Sequence, residues 1–493
     1  MMIRYLVVLA FYLSSGWAQS LVFIDIANDQ LLNFVHDHGG TGEKYYMETM
    51  GSGVCLFDYD NDGDLDAYFL QGAPLPGWNK KIILENKLYR NDGKKWTDVT
   101  EKAGVGDKNY GIGCACADYD NDGDTDLYVT NYGPDVFYHN DGDGTFIDVT
   151  LKVGIDNPHW ASSAAFFDSD NDGWLDLYVT NYVEFSIENN PWCGEPVQGE
   201  RAYCDPDYFE GVEDKFYHND GQGNFSDWSV RSGINKARGK GLGVVPGDID
   251  NDGDMDIYVA NDKVMNLLFI NDGLGHFTEK ALFTGVGFNE NGRAEAGMGV
   301  DFGDVNRDGW LDLIFTSGTD MKRFTVNTRT SIYWGGPNGF SPSNRTQLEG
   351  YTGLDGTVAD LNRDGHLDIA VTNYRSDTNR KVPTFIYWGD GSRNYNEKRR
   401  SLLPSASGSA INALDLNRDG WLELVVSNHQ KNFDHGAGGT DIFYDYGKIP
   451  GPGSMLVQKA LGAMLRKLVD AENGVSGSRV DGVRASRDSF YRG

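Results

Sequence analysis

The chain has 493 residues, enough for one large repeat domain with small appendages or for two to three ordinary domains. Its 73 acidic and 43 basic side chains give a formal net charge of −30, and so acidic a surface repels nucleic acids and anionic membranes. Hydrophobic residues make up 40% of the chain and aromatic residues 13%, which is enough apolar surface for a folded core. We therefore expect the acidic residues to be concentrated at particular places in a folded protein.

The first residues, MMIRYLVVLAFYLSSGWAQS, have the organisation of a secretory signal. Arg4 supplies a positive charge, an apolar run follows at 5–13, and Gly16 and Ala18 are the small residues before a cleavage site. The apolar run is shorter than the roughly 20 residues of a transmembrane helix, although an N-terminal membrane anchor is the alternative. We expect a signal peptide over 1–18, no transmembrane span, and a protein that is secreted or exposed at the cell surface, the bacterial periplasm included.

The five cysteines fall into two groups. Cys193 and Cys204 lie in a loop rich in Gly, Pro and Glu, and in an exported protein this predicts a disulfide bond. Cys55, Cys114 and Cys116 lie in apolar, strand-like runs just before acidic segments. We expect these three to be free core residues rather than ligands.

One nine-residue pattern, D-x-[DN]-x-D-G-x-x-[DE], occurs seven times. The copies, here called loops one to seven, begin at residues 58, 118, 168, 248, 304, 360 and 415. Each copy follows a run of small and apolar residues and precedes a β-branched and aromatic run such as LDLYVTNY. A third run ends in an Asn-Asp-Gly turn in the early repeats, as in KFYHNDG, and a fourth short run follows.

Four short antiparallel strands in each unit of about 50 to 60 residues, repeated seven times, predict an all-β, seven-bladed β-propeller. A solenoid would need capping units, and neither end of the repeat region has one. The seventh unit lacks a fourth strand, while LVFIDIAND near the N-terminus resembles the fourth strand of other units. We expect the strand around 22–26 to pair with the strand around 441–444 and so close the propeller by removing its open edge.

The acidic loops predict calcium binding. Three to five carboxylates within nine residues repel one another, and an oxygen-only set of ligands is the kind that Ca²⁺ prefers over Mg²⁺ or Zn²⁺. Positions 1, 3, 5 and 9 offer side-chain oxygens, position 7 offers its backbone carbonyl, and Gly at position 6 permits a sharp turn. An EF-hand is excluded, because its acidic position 12 is Phe69 in loop one and Val129 in loop two. Simple Asp-Gly turns remain the alternative, mainly for loops five to seven.

The predicted cofactor is Ca²⁺, up to seven ions with one in each blade. In loops one and two the predicted ligands are Asp58, Asp60, Asp62, Asp64, Asp66, Asp118, Asp120, Asp122, Asp124 and Asp126. In loops three and four they are Asp168, Asp170, Asp172, Trp174, Asp176, Asp248, Asp250, Asp252, Asp254 and Asp256. In loops five to seven they are Asp304, Asn306, Asp308, Trp310, Asp312, Asp360, Asn362, Asp364, His366, Asp368, Asp415, Asn417, Asp419, Trp421 and Glu423.

The repeats resemble FG-GAP/VCBS repeats, which are also found in the propeller of integrin α subunits. Two segments, FVHDHGG…YYMETMGSGVCLFDYDNDGDLDAYFLQG from Phe34 and CGEPVQGERAYCDPDYFEGVEDKFYHNDG from Cys193, are similar to the cartilage acidic protein family. The resemblance covers roughly residues 21 to 446. It implies a seven-bladed propeller with Ca²⁺ in the loops that join first and second strands, and a secreted or surface-exposed protein with a role in binding or adhesion.

The C-terminal part departs from many bacterial members, which continue into an ASPIC/UnbV domain that we do not recognise here. We expect the propeller to occupy 19–447 and KIPGPGS at 448–454 to be a linker. An amphipathic helix is predicted from 455 to 471 and a disordered tail after it, so that 455–493 forms a C-terminal extension. Docking of this helix on the propeller and attachment to a partner or surface both remain open.

The sequence favours a binding or adhesion module for a protein or glycan ligand over an enzyme. None of the motifs G-x-S-x-G, H-E-x-x-H or the P-loop is present. His139 and His218 occupy one repeat position, FYHND, and are interpreted as structural, while a metal or catalytic role for His36 and His38 is not favoured. The alternatives are a self-assembling subunit of an extracellular surface structure or filament, and a carbohydrate-active propeller enzyme.

Overall fold

The structure is a computed structural model. It describes residues 23–25, 32–51, 53–93, 95–195, 199–289, 291–318, 328–376, 379, 381–416, 418–428 and 439–445. The predicted signal peptide, the linker at 448–454 and the C-terminal extension at 455–493 lie outside the described residues. Within the described ranges, no helix has the length and apolar character needed to cross a membrane.

The described chain forms an all-β propeller of four-stranded antiparallel sheets, which confirms the predicted fold class. After β1 (Phe23–Asp25), blade one contains β2 (Val54–Phe57), β3 (Asp66–Phe69), β4 (Lys87–Asn91) and β5 (Trp96–Asp98). Blade two contains β6 (Tyr110–Ala117), β7 (Asp126–Tyr132), β8 (Val136–Asn140) and β9 (Phe146–Asp148). Blade three contains β10 (Ala161–Phe167) and β11 (Asp176–Asn181), then the inserted strands β12 (Cys193–Glu195), β13 (Glu200–Ala202) and β14 (Val212–Glu213), and finally β15 (Lys215–Asn219) and β16 (Phe225–Asp227).

The second half of the propeller repeats this order. The short strand β17 (Arg238–Gly239), which pairs with β14, precedes blade four with β18 (Gly241–Gly247), β19 (Asp256–Asn261), β20 (Leu267–Asn271) and β21 (Phe277–Glu279). Blade five contains β22 (Gly297–Gly303), β23 (Asp312–Ser317), β24 (Arg329–Tyr333) and β25 (Arg345–Glu349). Blade six contains β26 (Gly356–Ala359), β27 (Asp368–Val371), β28 (Thr384–Tyr387) and β29 (Arg400–Leu403).

The last sheet, here called the closing sheet, differs in its connectivity. It consists of β30 (Gly408–Leu414), β31 (Glu423–Asn428), β32 (Gly439–Asp445) and β1. The predicted pairing is present, because Ile24 lies opposite Tyr444 in the register of β1 and β32. Among the described residues, six blades rather than seven take all their strands in chain order, since the described part of the last repeat contributes three strands of its own. The predicted count of seven blades is therefore not confirmed.

In blades one, three and four, a single turn of α-helix follows the short fourth strand. The short α-helices are α1 (Thr100–Ala103), α2 (Ser229–Ser232) and α3 (Ala281–Thr284). The 3-10 helices among the described residues are Tyr46–Thr49, Ile187–Asn189, Pro206–Tyr208, Ile234–Lys236 and Glu397–Arg399. In blade one, Asp98 Oδ1 accepts hydrogen bonds from the backbone N–H and the hydroxyl of Thr100, while Leu88 N–H donates to the same hydroxyl. These bonds end the strand and start the helical turn.

The small residues of the first strands are explained by how closely those strands approach one another. A Cβ at Gly113 of β6 would lie 2.6 Å from Ser162 O of β10, and one at Gly243 of β18 would lie 2.6 Å from Met298 O of β22. A side chain at either position would push neighbouring blades apart. The second strands are buried on both faces, and each core cluster joins adjacent blades, as when Tyr68 of blade one packs with Val129 of blade two.

The insertion in blade three is a disulfide-linked hairpin. Cys193 and Cys204 are bonded, as predicted, and β12 pairs with β13 between them. Both half-cystines pack with a buried aromatic cluster that includes Tyr46, Trp160 and Tyr182. Cys55, Cys114 and Cys116 are free, also as predicted. The described part of the insertion thus packs against the propeller.

Removing residues 19–30 tests the role of β1. The deletion leaves β32 as an open sheet edge, so we expect the truncated protein to aggregate and to be much less soluble than the full chain. Sedimentation velocity of both proteins over a range of concentrations measures this. A truncated protein that stays monomeric and melts at the temperature of the full chain would show that β1 does not close the sheet.

Candidate functional site

Each acidic loop lies between the first and second strands of a sheet, all at the same end of the propeller. Loop one runs from the end of β2 to Asp66, the first residue of β3, and the other loops repeat this placement. Position 4 has a positive φ in every loop, as in Asn121 (57°), and so has the glycine at position 6, as in Gly123 (97°). The predicted sharp turn at position 6 is therefore present, and position 4 adds a second left-handed residue that the pattern did not reveal.

The carboxylate at position 1 closes the loop. In loop two, Asp118 Oδ1 accepts the backbone N–H of Asp122 at 3.1 Å, and Asp118 Oδ2 accepts that of Gly123 at 3.0 Å. The same pair of bonds recurs in loops three to six. Position 5 in turn accepts the N–H of position 7, as when Asp124 N–H donates to Asp122 Oδ1 at 2.9 Å. These bonds fix the loop backbone and bring positions 1, 3 and 5 together.

Positions 1, 3 and 5 could hold a cation. In loops one, two and three, one oxygen from each of these carboxylates lies within 4.8 Å of the other two. Several of their oxygens are buried without a hydrogen-bond partner, namely Oδ1 of Asp58, Asp60, Asp120, Asp170 and Asp415. Burial and the neighbouring Asp62 raise the pKa of Asp58 to about 6. Buried carboxylate oxygens without donors are energetically costly, and Ca²⁺ is a cation that oxygen ligands of this kind accept.

The carboxylate at position 9, whose role as a ligand stays a prediction, also has a structural role. Asp126 is fully buried, and its two oxygens accept the backbone N–H groups of Tyr119 (3.2 Å) and Asn140 (2.8 Å). Burial raises its pKa to about 8. Equivalent bonds tie Asp66, Asp176, Asp256, Asp312 and Asp368 to position 2 of their loop and to the end of the third strand. Position 9 therefore joins the loop to its own sheet, with or without a cation.

Asparagine side chains at the ends of third strands join neighbouring blades. Asn140 of blade two donates through Nδ2 to Tyr59 O in loop one at 2.9 Å, and Asn219 and Asn271 do the same to loops two and three. Asn91 of blade one donates to Leu416 O in loop seven at 3.0 Å. From the sequence, the Asn of each Asn-Asp-Gly turn indicated only a hairpin. In the structure its side chain also donates a hydrogen bond to the neighbouring blade.

Position 4 contacts the next acidic loop around the propeller. Asn121 Nδ2 donates to Gly173 O at 3.1 Å, and Asn171 Nδ2 donates to Asp254 Oδ1 at 2.6 Å. The remaining contacts are Asn61 with Asp124, Asn251 with Gly309, Arg307 with Gly365, Arg363 with Gly420 and Trp421, and Arg418 with Asp58 and Asp64. The acidic loops therefore touch in sequence, and loop seven touches loop one.

Two histidines lie beside the acidic loops, although the sequence pattern placed no histidine among the side-chain ligands. His139 Nδ1 is 3.2 Å from Asp126 Oδ1 and 3.5 Å from Asp120 Oδ2, and His218 Nδ1 is 3.0 Å from Asp176 Oδ1. Their shared motif FYHND was the available signal. His218 also stacks on Trp228, which is consistent with the structural role predicted for this position.

The opposite end of the propeller has a cavity of about 560 Å³. Its wall is formed by first strands, including Ile112, Val244 and Val300, and its mouth by loops that follow second strands. At the mouth, the Tyr46 and Tyr182 hydroxyls are 2.7 Å apart, and Tyr182 donates to Asp262 Oδ2 at 2.6 Å. Burial raises the pKa of Asp262 to about 6. No pattern in the sequence indicated this site, because its residues come from many repeats.

The disulfide-linked insertion borders the cavity mouth. Lys263, which lines the cavity, donates from Nζ to Asp205 Oδ2 of the insertion at 2.5 Å. Tyr203 donates to Glu48 Oε2 at 2.9 Å, and Glu48 Oε1 accepts the backbone N–H of Tyr45. The insertion and the segment at 43–50 thus form one hydrogen-bonded wall of the mouth.

Comparison with known proteins agrees with the repeat pattern. The FG-GAP-like repeat family matches residues 58–129, 118–179, 205–259 and 248–315. Cartilage acidic protein 1 of Homo sapiens is 27% identical over 421 residues, covering 82% of this chain and 51% of that protein. The Mus musculus protein is 28% identical over 418 residues, covering 82% and 52%. The chain thus contains FG-GAP-like repeats and is similar to cartilage acidic protein 1. It spans about half the length of these two relatives.

Solved structures with a similar arrangement are more distant. An Agrocybe aegerita lectin that recognises non-reducing terminal N-acetylglucosamine is 14% identical, with a TM-score of 0.37 over 70% of this chain and 79% of the lectin. The V. cholerae biofilm matrix protein Bap1 is 11% identical, with a TM-score of 0.36 over 82% of this chain and 89% of that protein.

Alanine substitutions in loop two separate the two kinds of carboxylate. Without calcium, Asp126→Ala leaves two buried N–H groups unpaired, so we expect it to lower the free energy of unfolding by about 1–3 kcal/mol for each. Asp122→Ala, the matched control, removes an exposed like charge and should change the free energy of unfolding by less than about 1 kcal/mol. Urea unfolding in EDTA measures both. Equal losses would show that position 9 has no separate structural role.

Proposed function

We propose that this FG-GAP repeat protein is a secreted or cell-surface, calcium-binding β-propeller that acts as a binding or adhesion module for a protein or glycan ligand. The observation that carries the proposal is the recurrence, at one end of the propeller, of converging carboxylates with buried and unpartnered oxygens. The relationship to cartilage acidic protein supports a binding module and an extracellular location.

In this proposal the ligands of Ca²⁺ are the side chains at positions 1, 3 and 5 and the backbone carbonyl at position 7. The carboxylate at position 9 holds the loop backbone through hydrogen bonds and offers a further oxygen to the ion. Up to seven ions can bind, one in each loop, and Asn417 of loop seven is the predicted ligand that lies outside the described residues. Seven ions would offset about half of the formal net charge of −30.

We also propose that the closing sheet is the seventh blade. Loop seven lies between β30 and β31, as the other loops lie between their first and second strands. Asn91 of blade one reaches loop seven by the same bond that joins the early blades. These contacts support a propeller closed by β1 rather than an open array.

The cavity at the end opposite the acidic loops is the proposed ligand site. A volume of about 560 Å³ lies within the range of small-ligand pockets. Aromatic rings at the mouth, with Lys263 and the hydroxyl of Tyr182, combine an apolar surface with polar groups that orient a ligand. This is the chemistry that a sugar or a peptide side chain requires.

Chelation tests the calcium proposal. Extracellular calcium sites have dissociation constants of roughly 10⁻⁴ to 10⁻³ M, so at about 1 mM free Ca²⁺ each site contributes about 0.4 to 1.4 kcal/mol. We expect EDTA to lower the melting temperature markedly, Ca²⁺ to restore it, and Mg²⁺ to restore it poorly. Calorimetric melts under the three conditions measure this. An unchanged melting temperature in EDTA would mean that the loops are simple turns.

Filling the cavity tests the ligand site. Glycan and matrix-protein arrays first identify a bound ligand of the unaltered chain in Ca²⁺. Met298→Trp, which enlarges a side chain on the cavity wall, should then reduce that binding at least tenfold. Leu151→Trp, on an exposed turn away from the cavity, is the control and should bind normally. Equal binding by both variants would place the ligand elsewhere on the propeller.

A further inference from the structure

Loops one and two have nearly the same sequence but different neighbours. Loop one reads DYDNDGDLD and loop two reads DYDNDGDTD, so both have five carboxylates in the same order. Position 4 of the preceding loop contacts each of them: Asn61 contacts loop two, and Arg418 contacts loop one. The two loops therefore form a natural comparison, in which the loop sequence is nearly the same and the neighbouring side chains differ in charge.

The guanidinium of Arg418 lies against the carboxylates of loop one. Its Nε is 3.5 Å from Asp64 Oδ1, and its Nη2 is 3.9 Å from Asp58 Oδ2, the carboxylate at position 1. It fits because position 6 is glycine: a Cβ at Gly63 would lie only 2.0 Å from Nη2. The Arg418 side chain is 19% exposed, so its charge is only partly screened by water.

Loop two receives no such charge. Asn61 donates its amide to Asp124, which satisfies one carboxylate oxygen without neutralising it. Among the described residues, no Lys or Arg is paired with a carboxylate at positions 1 to 7 of loops two, three or four. The third-strand position beside loop one is Arg90, whereas blades two and three have His139 and His218 there. Arg90 is ion-paired with Asp92 at 2.8 Å, and Arg418 is the guanidinium that lies against the carboxylates of loop one.

A fixed guanidinium opposes calcium binding for a simple reason. It already relieves part of the repulsion among the carboxylates, which is the driving force that a cation would otherwise supply. A divalent ion entering the same loop must approach a positive charge a few ångströms away or displace it from its carboxylates. The amide of Asn61, which contacts loop two, imposes neither penalty.

We propose that Arg418 takes the place of calcium in loop one, so that loop one binds Ca²⁺ at least tenfold more weakly than loop two. The inference rests on the proposed calcium-binding function and specifies which loops carry it out. The contact between loop seven and loop one, where the two ends of the repeat region meet, is then held by an internal cation. A related arrangement occurs in loop five, where Arg393 Nη2 is 3.2 Å from Asp308 Oδ2.

The test removes one proposed Ca²⁺ ligand from loop one or from loop two in the full-length protein. The number of Ca²⁺ equivalents bound, and their affinities, are measured by calorimetric titration at physiological ionic strength. Asp122→Ala should remove one of the tight equivalents, because it takes position 5 from loop two. Asp62→Ala, the matched change in loop one, should leave the number of tight equivalents unchanged.

Exchanging the neighbours should exchange the affinities. Arg418→Asn should add one tightly bound Ca²⁺ equivalent, and adding Asp62→Ala to that variant should remove it again. Asn61→Arg should abolish the tightly bound Ca²⁺ equivalent of loop two. Arg418→Lys keeps the charge and should bind as the unaltered chain does.

The outcomes distinguish this inference from the function on which it rests. If Asp62→Ala and Asp122→Ala each remove one tight equivalent from the unaltered chain, calcium binding stands and the role of Arg418 is wrong. If Arg418→Asn folds and gains no equivalent, the role of Arg418 is also wrong. If no variant binds Ca²⁺, the proposed function itself fails.

Discussion

The buried carboxylate at position 9 is the constraint on which the propeller's acidic end depends. It is the first residue of each second strand, and its two oxygens hold the backbone of its loop and of the third strand at once, as Asp126 does for Tyr119 and Asn140. Because both partners are backbone N–H groups, the bonds fix the chain path whatever the other side chains are. The Asn140 side chain then reaches the preceding loop, so each blade is positioned by its neighbour.

This arrangement concentrates charge for a structural reason. Once the loop backbone is fixed, positions 1, 3 and 5 converge, and their repulsion cannot be relieved by a change of conformation. A cation offsets this repulsion, and two kinds are available: an exchangeable ion from solution, proposed for loops such as loop two, and the guanidinium of Arg418 at loop one. The high net negative charge of the chain therefore results from the repeat, not from a general acidic surface.

The fold could be predicted because its pattern repeats along the chain. The candidate ligand site could not be predicted, because its residues follow no repeated pattern. Seven copies of one pattern indicated strand order, turns and the N-terminal closure, and the isolated pair Cys193 and Cys204 indicated the disulfide. The structural role of position 9 could not be predicted, because a pattern of carboxylates does not show which of them is buried. The approach of His139 to loop two and of Arg418 to loop one depends on contacts between strands or blades, and sequence spacing does not encode these. The cavity likewise combines single residues from many repeats.

A fixed cation has its greatest effect where the ring is hardest to close. The contact between loop seven and loop one joins residues more than 350 positions apart, and closing so long a segment costs more conformational entropy than docking adjacent blades. A contact that needed free calcium would be weakest whenever the ion is scarce, and loss of it would expose the apolar faces of the first and last sheets. An arginine already present in the chain carries no such dependence on concentration. The proposed distribution, with exchangeable ions between blades that are adjacent in sequence and an arginine at the closure, therefore lets calcium stabilise the propeller without deciding whether it is closed.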